Sequence, residues 1–357
     1  MTSLKKIAPY FFSLFLFLCS LAGLTFLYEK KVTKEKALTN KSLLIPVEER
    51  PLNGAKPYLD YIRPNSVYRI YKHFNNEVIY DVKYEFNEFS LRDIPQHNPQ
   101  KDDHHLVFAG CSFTFGEGLY VEETFPYLVE QQIEGYHTYN WSFMGGGIHR
   151  LLNHADFLPL KEHIKQEKGK LFYMFFADHL NRFHATPDYI SWAAYKDPIY
   201  KVEEGKIVYK GIAGETSSYR QYQYFKKLGL GNFFVKFYSI FKMYYRGDKE
   251  LEDFVIAVKT LKEKYLQNFS EGEFTFVFHP LFLPRDNQVE RMKPLLTKHG
   301  ISYIDPTPEF RAYSATLNTD KASTIFRISN DGHPSHFFNQ FLSNYFLENV
   351  LKRSREI

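Results

Sequence analysis

Ser112 stands in a sequence context that could turn its hydroxyl into a nucleophile. It follows a short apolar run, residues 105–109, and Gly110; a glycine-rich turn at 116–118 and a helix-like segment at 121–132 come after it. A buried strand that ends in Gly-x-Ser presents the serine beside a helix N-terminus, where unpaired N–H groups can stabilise negative charge. An ordinary strand-to-loop turn has the same pattern, so the interpretation depends on partners elsewhere in the chain.

A general base for Ser112 is available near the C-terminus. There the sequence reads Asn-Asp-Gly-His-Pro-Ser at residues 330–335, just before a predicted helix. A carboxylate two residues from a histidine, held in a Gly/Pro turn, can orient the imidazole while it takes a proton from a serine. Asp331 and His333 therefore supply the two groups that a nucleophilic serine needs.

Two further segments follow predicted strands. Residues 140–147 read Asn-Trp-Ser-Phe-Met-Gly-Gly-Gly, and glycine clusters at strand ends bring backbone N–H groups close to a ligand, as an oxyanion hole requires. Residues 175–182 place polar side chains at the carboxyl end of a central strand, where open α/β sheets bind ligands. The alternatives are a flexible turn for the first segment and helix capping by Asp178 with a surface Arg182 for the second.

The elements that must position these residues alternate between strands and helices. Strands are predicted at 105–109, 136–141, 170–176, 274–279 and 301–304. Helices are predicted at 121–133, 147–166, 250–268, 287–299 and 335–352. Such alternation is typical of a parallel sheet covered by helices on both faces, an α/β fold. Residues 184–248 interrupt the rhythm and are predicted to form an insertion.

The N-terminal part of the chain has a different character. Residues 7–27 form a run of 21 residues without a charge, which suits one bilayer span better than a signal-peptide core. We therefore expect a signal anchor, a single transmembrane helix, within 1–28. A charged stalk followed by a small β-rich lead-in, with a hairpin in 57–100, is expected over 29–100, and the main domain over 101–357. A cleaved signal remains an alternative, and lysines at both ends leave the orientation open.

Composition excludes several classes of protein. The 45 Lys and Arg residues nearly balance the 41 Asp and Glu residues in this chain of 357, so the charge gives no case for nucleic-acid binding. Only two cysteines are present, Cys19 and Cys111, which excludes a disulfide framework and a cysteine-based metal site. No His/Asp cluster has metal-ligand spacing, and we expect neither a metal nor a cofactor.

Four ordered blocks together resemble the SGNH (GDSL-type) hydrolases. The family's nucleophile turn reads Gly-Asp-Ser where this chain has Gly-Cys-Ser, and its last block carries Asp and His before a C-terminal helix. Residues 84–93 resemble the lead-in Asn-x-x-Gly-x-Arg-Asp of exported members, and residues 122–126 resemble the family's helix entry. The resemblance covers roughly residues 80–150, 170–183 and 325–345 and implies a three-layer α/β/α, flavodoxin-like domain.

The resemblance also implies roles for individual residues. Ser112 would be the nucleophile, His333 the general base and Asp331 the residue that orients it. The N–H groups of Ser112 and Gly145 would bind the oxyanion. The family's third block normally supplies an asparagine to this hole; the matching position here is Ala177 or Asp178, with His179 or Asn181 as substitutes. The resulting oxyanion-hole set is Ser112, Gly145, Asp178 and His179, and the expected substrate-binding set is Asn140, Asn181 and Arg182.

These observations predict a serine esterase that removes or transfers a small acyl group, such as acetyl, through an acyl-serine intermediate. The resemblance to anchored relatives implies an acylated cell-envelope glycan as substrate, a site outside the cytoplasmic membrane (periplasmic in a Gram-negative cell) and a membrane-bound acyltransferase partner. Three alternatives remain. The domain could bind a glycan or a partner without turnover, it could be a lipid-directed esterase with residues 219–246 as a membrane-facing lid, or Cys111 could be the reactive group.

Overall fold

The computed structural model describes residues 40–49, 62–95, 103–158, 160–193, 195–231, 247–281, 287–317 and 322–351, with isolated residues at 20, 23, 27, 233 and 235. Within these ranges, no helix is both long enough and apolar enough to cross a bilayer. Apart from the three isolated positions, the predicted anchor at 1–28 lies outside the described residues.

The strands, in chain order, are β1 (Asn40–Glu49), β2 (Ser66–Phe74), β3 (Glu77–Phe86), β4 (His104–Gly110), β5 (Tyr136–Ser142), β6 (Lys168–Phe175), β7 (Pro198–Glu203), β8 (Lys206–Ile212), β9 (Glu273–Phe278) and β10 (Ser302–Ile304). The helices are α1 (Ser112–Phe115), α2 (Phe125–Glu130), α3 (Ile148–Phe157), α4 (Leu160–His163), α5 (His179–Phe183), α6 (Pro187–Trp192), α7 (Ser217–Lys227), α8 (Asp248–Asn268), α9 (Gln288–Lys298), α10 (Thr307–Thr316), α11 (Ala322–Ile325) and α12 (His336–Tyr345). Helix α12 continues into a π-helical turn, Phe346–Leu351.

The central sheet has the strand order β10-β9-β6-β4-β5, and each of its neighbouring pairs is parallel. Numbered along the chain, these five strands stand in the order 2-1-3-4-5, which is the flavodoxin-like arrangement. In such a sheet the chain leaves the first strand toward one edge and returns on its other side, which opens a crevice at the carboxyl ends. Strand β4 lies at this switch point, and Ser112 follows it directly.

Both faces of the central sheet are buried, as the predicted helix–strand alternation requires. On one face Leu106 and Phe108 of β4 pack against α2 and α12. On the other face Val107 and Ala109 pack against α3, α8 and α9. Successive side chains of a strand point to opposite faces, so the continuous apolar run of β4 serves two helical layers at once.

A separate antiparallel sheet precedes the central one, with the order β1-β2-β3. The hairpin predicted within residues 57–100 is formed by β2 and β3, and its turn residues Asn75 and Asn76 both have positive φ angles, 50° and 65°, which suits a two-residue hairpin loop. The β-structure begins earlier than predicted, because β1 lies in residues 29–56, which we expected to form a stalk. Pairing with β1 satisfies the backbone groups along the edge of β2.

The predicted insertion at 184–248 contains α6, the antiparallel pair β7 and β8, and α7. It has a small core of its own that includes Tyr189, Ile199 and Tyr222. Of the segment 219–246, which was considered as a lid, the structure describes residues 219–231, which include α7 from its third residue onward, and two isolated residues beyond them.

Candidate active site

Ser112 is the first residue of α1, a single helical turn directly after β4. Gly110 leaves room for Thr114 at the end of the strand, because a Cβ on residue 110 would collide with the Oγ1 of Thr114. The turn ends at Gly116 in the left-handed region, with φ of 81°, which favours glycine. The sequence prediction of a strand, a tight turn and a nucleophile-like serine is therefore matched locally. The helix predicted at 121–132 corresponds to a 3-10 turn, Val121–Glu123, followed by α2.

The structure brings Ser112, His333 and Asp331 together. The Oγ of Ser112 lies 3.0 Å from Nε2 of His333. On the other side of the ring, Nδ1 of His333 hydrogen-bonds to Oδ1 of Asp331, which also accepts the backbone N–H of His333 at 3.1 Å. An imidazole whose Nδ1–H is held by a carboxylate presents the Nε2 lone pair to the serine hydroxyl.

Charge around His333 favours its protonated form. Burial lowers the pKa of His333, but the hydrogen bond that its ring donates to Asp331 and the charge of Glu117 outweigh this effect, and the net shift of the pKa is upward. Burial likewise opposes ionisation of Asp331, but hydrogen bonds to His333 and Lys72 hold the pKa of this carboxyl well below its usual range. Asp331 is therefore a carboxylate at neutral pH, and it can stabilise the imidazolium that forms when His333 takes a proton.

Two charged residues of this cluster were not found from the sequence. Glu117, in the turn after α1, places Oε2 at 3.4 Å from Nε2 of His333. Lys72, on β2, forms an ion pair with Oδ2 of Asp331. Glu117 could have been suspected from its place between Gly116 and Gly118, whereas no sequence signal links Lys72 to a residue 259 positions away.

Buried polar side chains bind the backbone of the nucleophile turn, residues 110–118, on the side away from the cleft. Arg92, which is 2% exposed, donates to the carbonyl oxygens of Phe115, Gly116 and Leu119 at 2.8–2.9 Å. Asn140, expected to bind substrate, is also buried, and its amide lies 3.4 Å from the carbonyls of Thr114 and Phe115. The structure thus places Asn140 against the backbone of the nucleophile turn rather than in the cleft.

The loop that carries Gly145 lies directly against the nucleophile turn. A Cβ on Gly146 would lie 2.8 Å from the carbonyl oxygen of Phe143 and 3.2 Å from that of Gly110, so glycine suits this close approach. Two arginines hold the loop through its carbonyls: Arg150 donates to Met144 at 2.6 Å, and Arg182 donates to Gly146. Gly145 itself has a φ of 67°.

The structure places the residues of the third block differently from the sequence prediction. Asp178, placed in the oxyanion hole, has one oxygen bound by Asn181 at 2.7 Å and the other by Arg182 at 2.8 Å. The two residues expected to bind substrate, Asn181 and Arg182, therefore pair with Asp178, which lies one helical turn earlier. Through Arg182 this cluster reaches the carbonyl of Gly146, so it supports the glycine loop instead of lining the hole.

His179 is likewise not placed as a donor in the cleft. Its side chain is fully buried, and its Nδ1 lies 2.8 Å from the hydroxyl of Tyr173. Burial holds the pKa of His179 well below its ordinary value, so the ring is neutral. A Cβ on Gly147 would lie 3.4 Å from the ring, which puts His179 under the glycine loop.

Cys111 lies before Ser112 but is turned away from the cleft. It is 1% exposed, and burial raises the pKa of its thiol. A thiol that stays protonated and out of contact with solvent is a poor nucleophile. The geometry therefore disfavours the alternative in which Cys111 is the reactive group.

No protein-family model and no curated protein matches this sequence. Among solved structures, the chain is similar to a member of the lipolytic protein G-D-S-L family from Veillonella parvula (10% identity, 70% of this chain and 99% of the other, TM-score 0.40). It is also similar to the acetyl xylan esterase AlAXEase (12%, 69% and 100%, TM-score 0.38) and to a psychrotrophic esterase from Pseudoalteromonas sp. (10%, 70% and 98%, TM-score 0.38).

Proposed function

We propose that this protein is a serine esterase of the SGNH (GDSL) type that hydrolyses or transfers an acyl group through an acyl-serine intermediate. The observation that carries the proposal is the continuous path from Asp331 through His333 to the Oγ of Ser112 at the switch point of the sheet. A binding domain has no need for a carboxylate, an imidazole and a hydroxyl in hydrogen-bonding order.

The reaction follows from this order. His333 takes the proton of Ser112 at Nε2 as Oγ attacks the ester carbonyl, and Asp331 stabilises the imidazolium. The tetrahedral intermediate collapses, the alcohol leaves with the proton from Nε2, and the acyl group stays on Oγ. A water molecule, or the hydroxyl of an acceptor, then repeats the sequence and releases the serine.

The oxyanion would be bound by backbone N–H groups of Ser112 and Gly145. Asp178, which would repel an oxyanion if it faced the hole, is instead held by Asn181 and Arg182. The arginine charge lies between the carboxylate and the glycine loop, so the departure from the family's third block is compatible with catalysis.

The experiment is hydrolysis of p-nitrophenyl acetate by the full chain in detergent, compared with Ser112→Ala and His333→Ala. We expect either substitution to lower kcat/KM by about 10³-fold or more, since each removes a member of one catalytic unit. Circular dichroism of both variants controls for folding. Folded wild-type protein with no activity above the variants would contradict hydrolysis of simple esters and favour the binding-domain alternative.

The finer proposal is that the acyl group is small and is carried by a glycan. It is supported by Trp192 of the insertion, which is 46% exposed and lies next to the glycine loop, residues 145–147. A Cβ on Gly145 would be 3.3 Å from the ring of Trp192. A half-exposed indole beside a reactive serine offers an apolar face with a polar edge, a surface on which a sugar ring can stack.

Trp192→Ala tests this substrate class. We expect it to raise KM for an acetylated oligosaccharide about tenfold and to leave hydrolysis of p-nitrophenyl acetate nearly unchanged, because only the larger substrate reaches the indole. Tyr209→Ala is the matched control, since Tyr209 is 52% exposed on β8 of the same insertion. Equal losses on both substrates would contradict a glycan subsite.

We also propose that the protein is anchored by residues 7–27 with its catalytic domain outside the cytoplasm, where a membrane-bound acyltransferase could act with it. The uncharged run of 21 residues supports the anchor. Membrane fractionation combined with protease access to intact cells tests the topology. Recovery of the full-length chain in the soluble fraction would contradict it.

A further inference from the structure

Ser112, His333 and Asp331 form the catalytic triad of the proposed reaction. Both carboxylate oxygens of Asp331 are bound, one by its neighbour His333 and the other by a residue from a distant part of the chain. Oδ1 of Asp331 accepts from the ring and the backbone of His333, and Oδ2 is paired with the ammonium group of Lys72. The carboxylate is fully buried, and the side chain of Lys72 is only 15% exposed. This ion pair is thus largely out of contact with water. The attraction between two opposite charges is stronger there than at the protein surface, because the dielectric constant is lower.

Lys72 is held in a docked element and not on a free loop. It belongs to β2, and its cross-strand partner on β3 is Tyr80. The inner face of this hairpin packs on Phe115 of the nucleophile turn. A Cβ on Gly118 would lie 2.8 Å from the ring of Tyr80 and 2.7 Å from Ile328, so the hairpin, the nucleophile turn and the loop before Asp331 meet at one point.

The hairpin also binds the backbone of the nucleophile turn. The N–H of Gly118 donates to the hydroxyl of Tyr84 at 2.7 Å. The ring of Tyr84 meets that of Phe115 edge to face, with centroids 5.0 Å apart. The same sheet therefore fixes the turn that carries Ser112 and supplies a cation to the residue that orients His333.

We propose that Lys72 is a positioning residue of the catalytic triad, which makes the N-terminal three-stranded sheet a structural part of the active site. The proposal rests on the proposed function, since it assigns Lys72 a role in that reaction. Lys72 fixes the rotation of the Asp331 carboxylate so that Oδ1 remains aligned with Nδ1 of His333.

Lys72 also balances the charge at His333. The charged or titratable groups that face this region are Asp331 from its own loop, Glu117 and Ser112 from the nucleophile turn, and Lys72 and Tyr80 from the hairpin. The positive charge of Lys72 opposes protonation of His333, whereas Glu117 and Asp331 favour it. Removing the ammonium group therefore moves the imidazole toward its protonated form, as long as the hydrogen bond between Asp331 and His333 persists.

The test compares Lys72→Met, Lys72→Arg and the control Lys83→Met in the full chain. Lys83 is exposed on β3, on the face of the sheet opposite to Lys72. The first readout is the rate at which a fluorophosphonate probe labels Ser112, measured from pH 5 to 9. The second is the pKa of His333 from its ring proton signals, assigned with His333→Gln.

For Lys72→Met we expect labelling at neutral pH to fall about tenfold or more, since a hydrogen bond to a charged group is lost. The acid limb of the profile should move to higher pH, in step with a higher pKa of His333. Lys72→Arg should restore both readouts in large part, and Lys83→Met should change neither.

A merely structural role would lower labelling by the same factor at every pH, with the titration of His333 unchanged; this result, or no effect at all, would overturn the proposal. Failure of the proposed function looks different, because the wild-type protein itself would not be labelled. In that case the titration of His333 still tests the role of Lys72. Equal pKa values of His333 in the wild type and in Lys72→Met would reject any action of Lys72 on His333.

Discussion

The Oγ of Ser112 lies 3.0 Å from Nε2 of His333, although 221 positions separate the two residues in the chain. Ser112 follows the strand at the switch point of the sheet, and His333 lies in the loop before α12, which covers one face of that sheet. The contact between Ser112 and His333 therefore forms only in the folded domain. Replacing either residue should impair the reaction that depends on the other.

Asp331→Asn should lower kcat/KM by about 10³-fold or more, because a neutral amide no longer stabilises the imidazolium. The same substitution removes a negative charge beside His333, so its pKa should fall and the acid limb of the pH profile should move to lower pH. The pH dependence of p-nitrophenyl acetate hydrolysis measures both effects. Activity within tenfold of wild type would show that Asp331 does not serve the reaction.

Arg182→Met should act through the glycine loop. It removes the donor to the Gly146 carbonyl and leaves Asp178 without its cation, so we expect kcat to fall about 10- to 100-fold with little change in KM. The free energy of unfolding should fall by about 2 kcal/mol, the scale of a hydrogen bond to a charged group. Arg311→Met, at an exposed position of α10, is the control. An unchanged kcat would show that the pair of Asp178 and Arg182 does not act on catalysis through the glycine loop.

Cys111→Ala should retain most of the esterase activity. In a Cys19→Ser background, iodoacetamide should modify Cys111 only after unfolding, because the thiol is 1% exposed and burial raises its pKa. Mass spectrometry before and after denaturant reads out the modification. Rapid alkylation of the native protein together with loss of activity would instead support Cys111 as the reactive group.

Stability should decrease in mild acid because of buried neutral histidines. Burial lowers the pKa of His105 to about 4 and the pKa values of His154, His163 and His279 to about 3. Between these values and the ordinary pKa of 6.5, the unfolded state binds more protons than the folded state. The free energy of unfolding should therefore fall as the pH drops from about 6.5 toward 4.

Each of these histidines contributes up to about 1.4 kcal/mol per pH unit within that window. Urea unfolding at pH 7, 6 and 5 measures how the free energy of unfolding changes with pH. His163→Gln should reduce this slope by the contribution of one histidine. A slope that is flat below pH 6.5 would contradict neutral burial. Above that pH the wild-type protein serves as its own control, because these groups no longer titrate in either state.

The sheet and the triad could be predicted from the sequence because their signals are local. The predicted strand 105–109, for example, is an apolar run that ends at a glycine, and the alternation of such strands with helices indicates the layered fold. Ser112, Asp331 and His333 stand in short motifs whose residue types already suggest their chemistry. The helix predicted at 121–133 is shorter in the structure, where α2 spans Phe125–Glu130.

The supporting groups could not be predicted because they depend on contacts between distant elements. Lys72 reaches Asp331 only when the hairpin docks, and nothing in its neighbourhood marks it. Arg182 and Asn181 were assigned to substrate from their place after β6. The sequence could not show that Asp178, one helical turn earlier, would bind both of them.

The most direct test of the central claim is to locate the covalent adduct that a fluorophosphonate leaves on the full-length protein. This account predicts a single adduct on the Ser112 peptide in tandem mass spectra, absent in Ser112→Ala and strongly reduced in folded His333→Ala. No adduct on folded wild-type protein, or an adduct on another residue, would contradict Ser112 as the nucleophile.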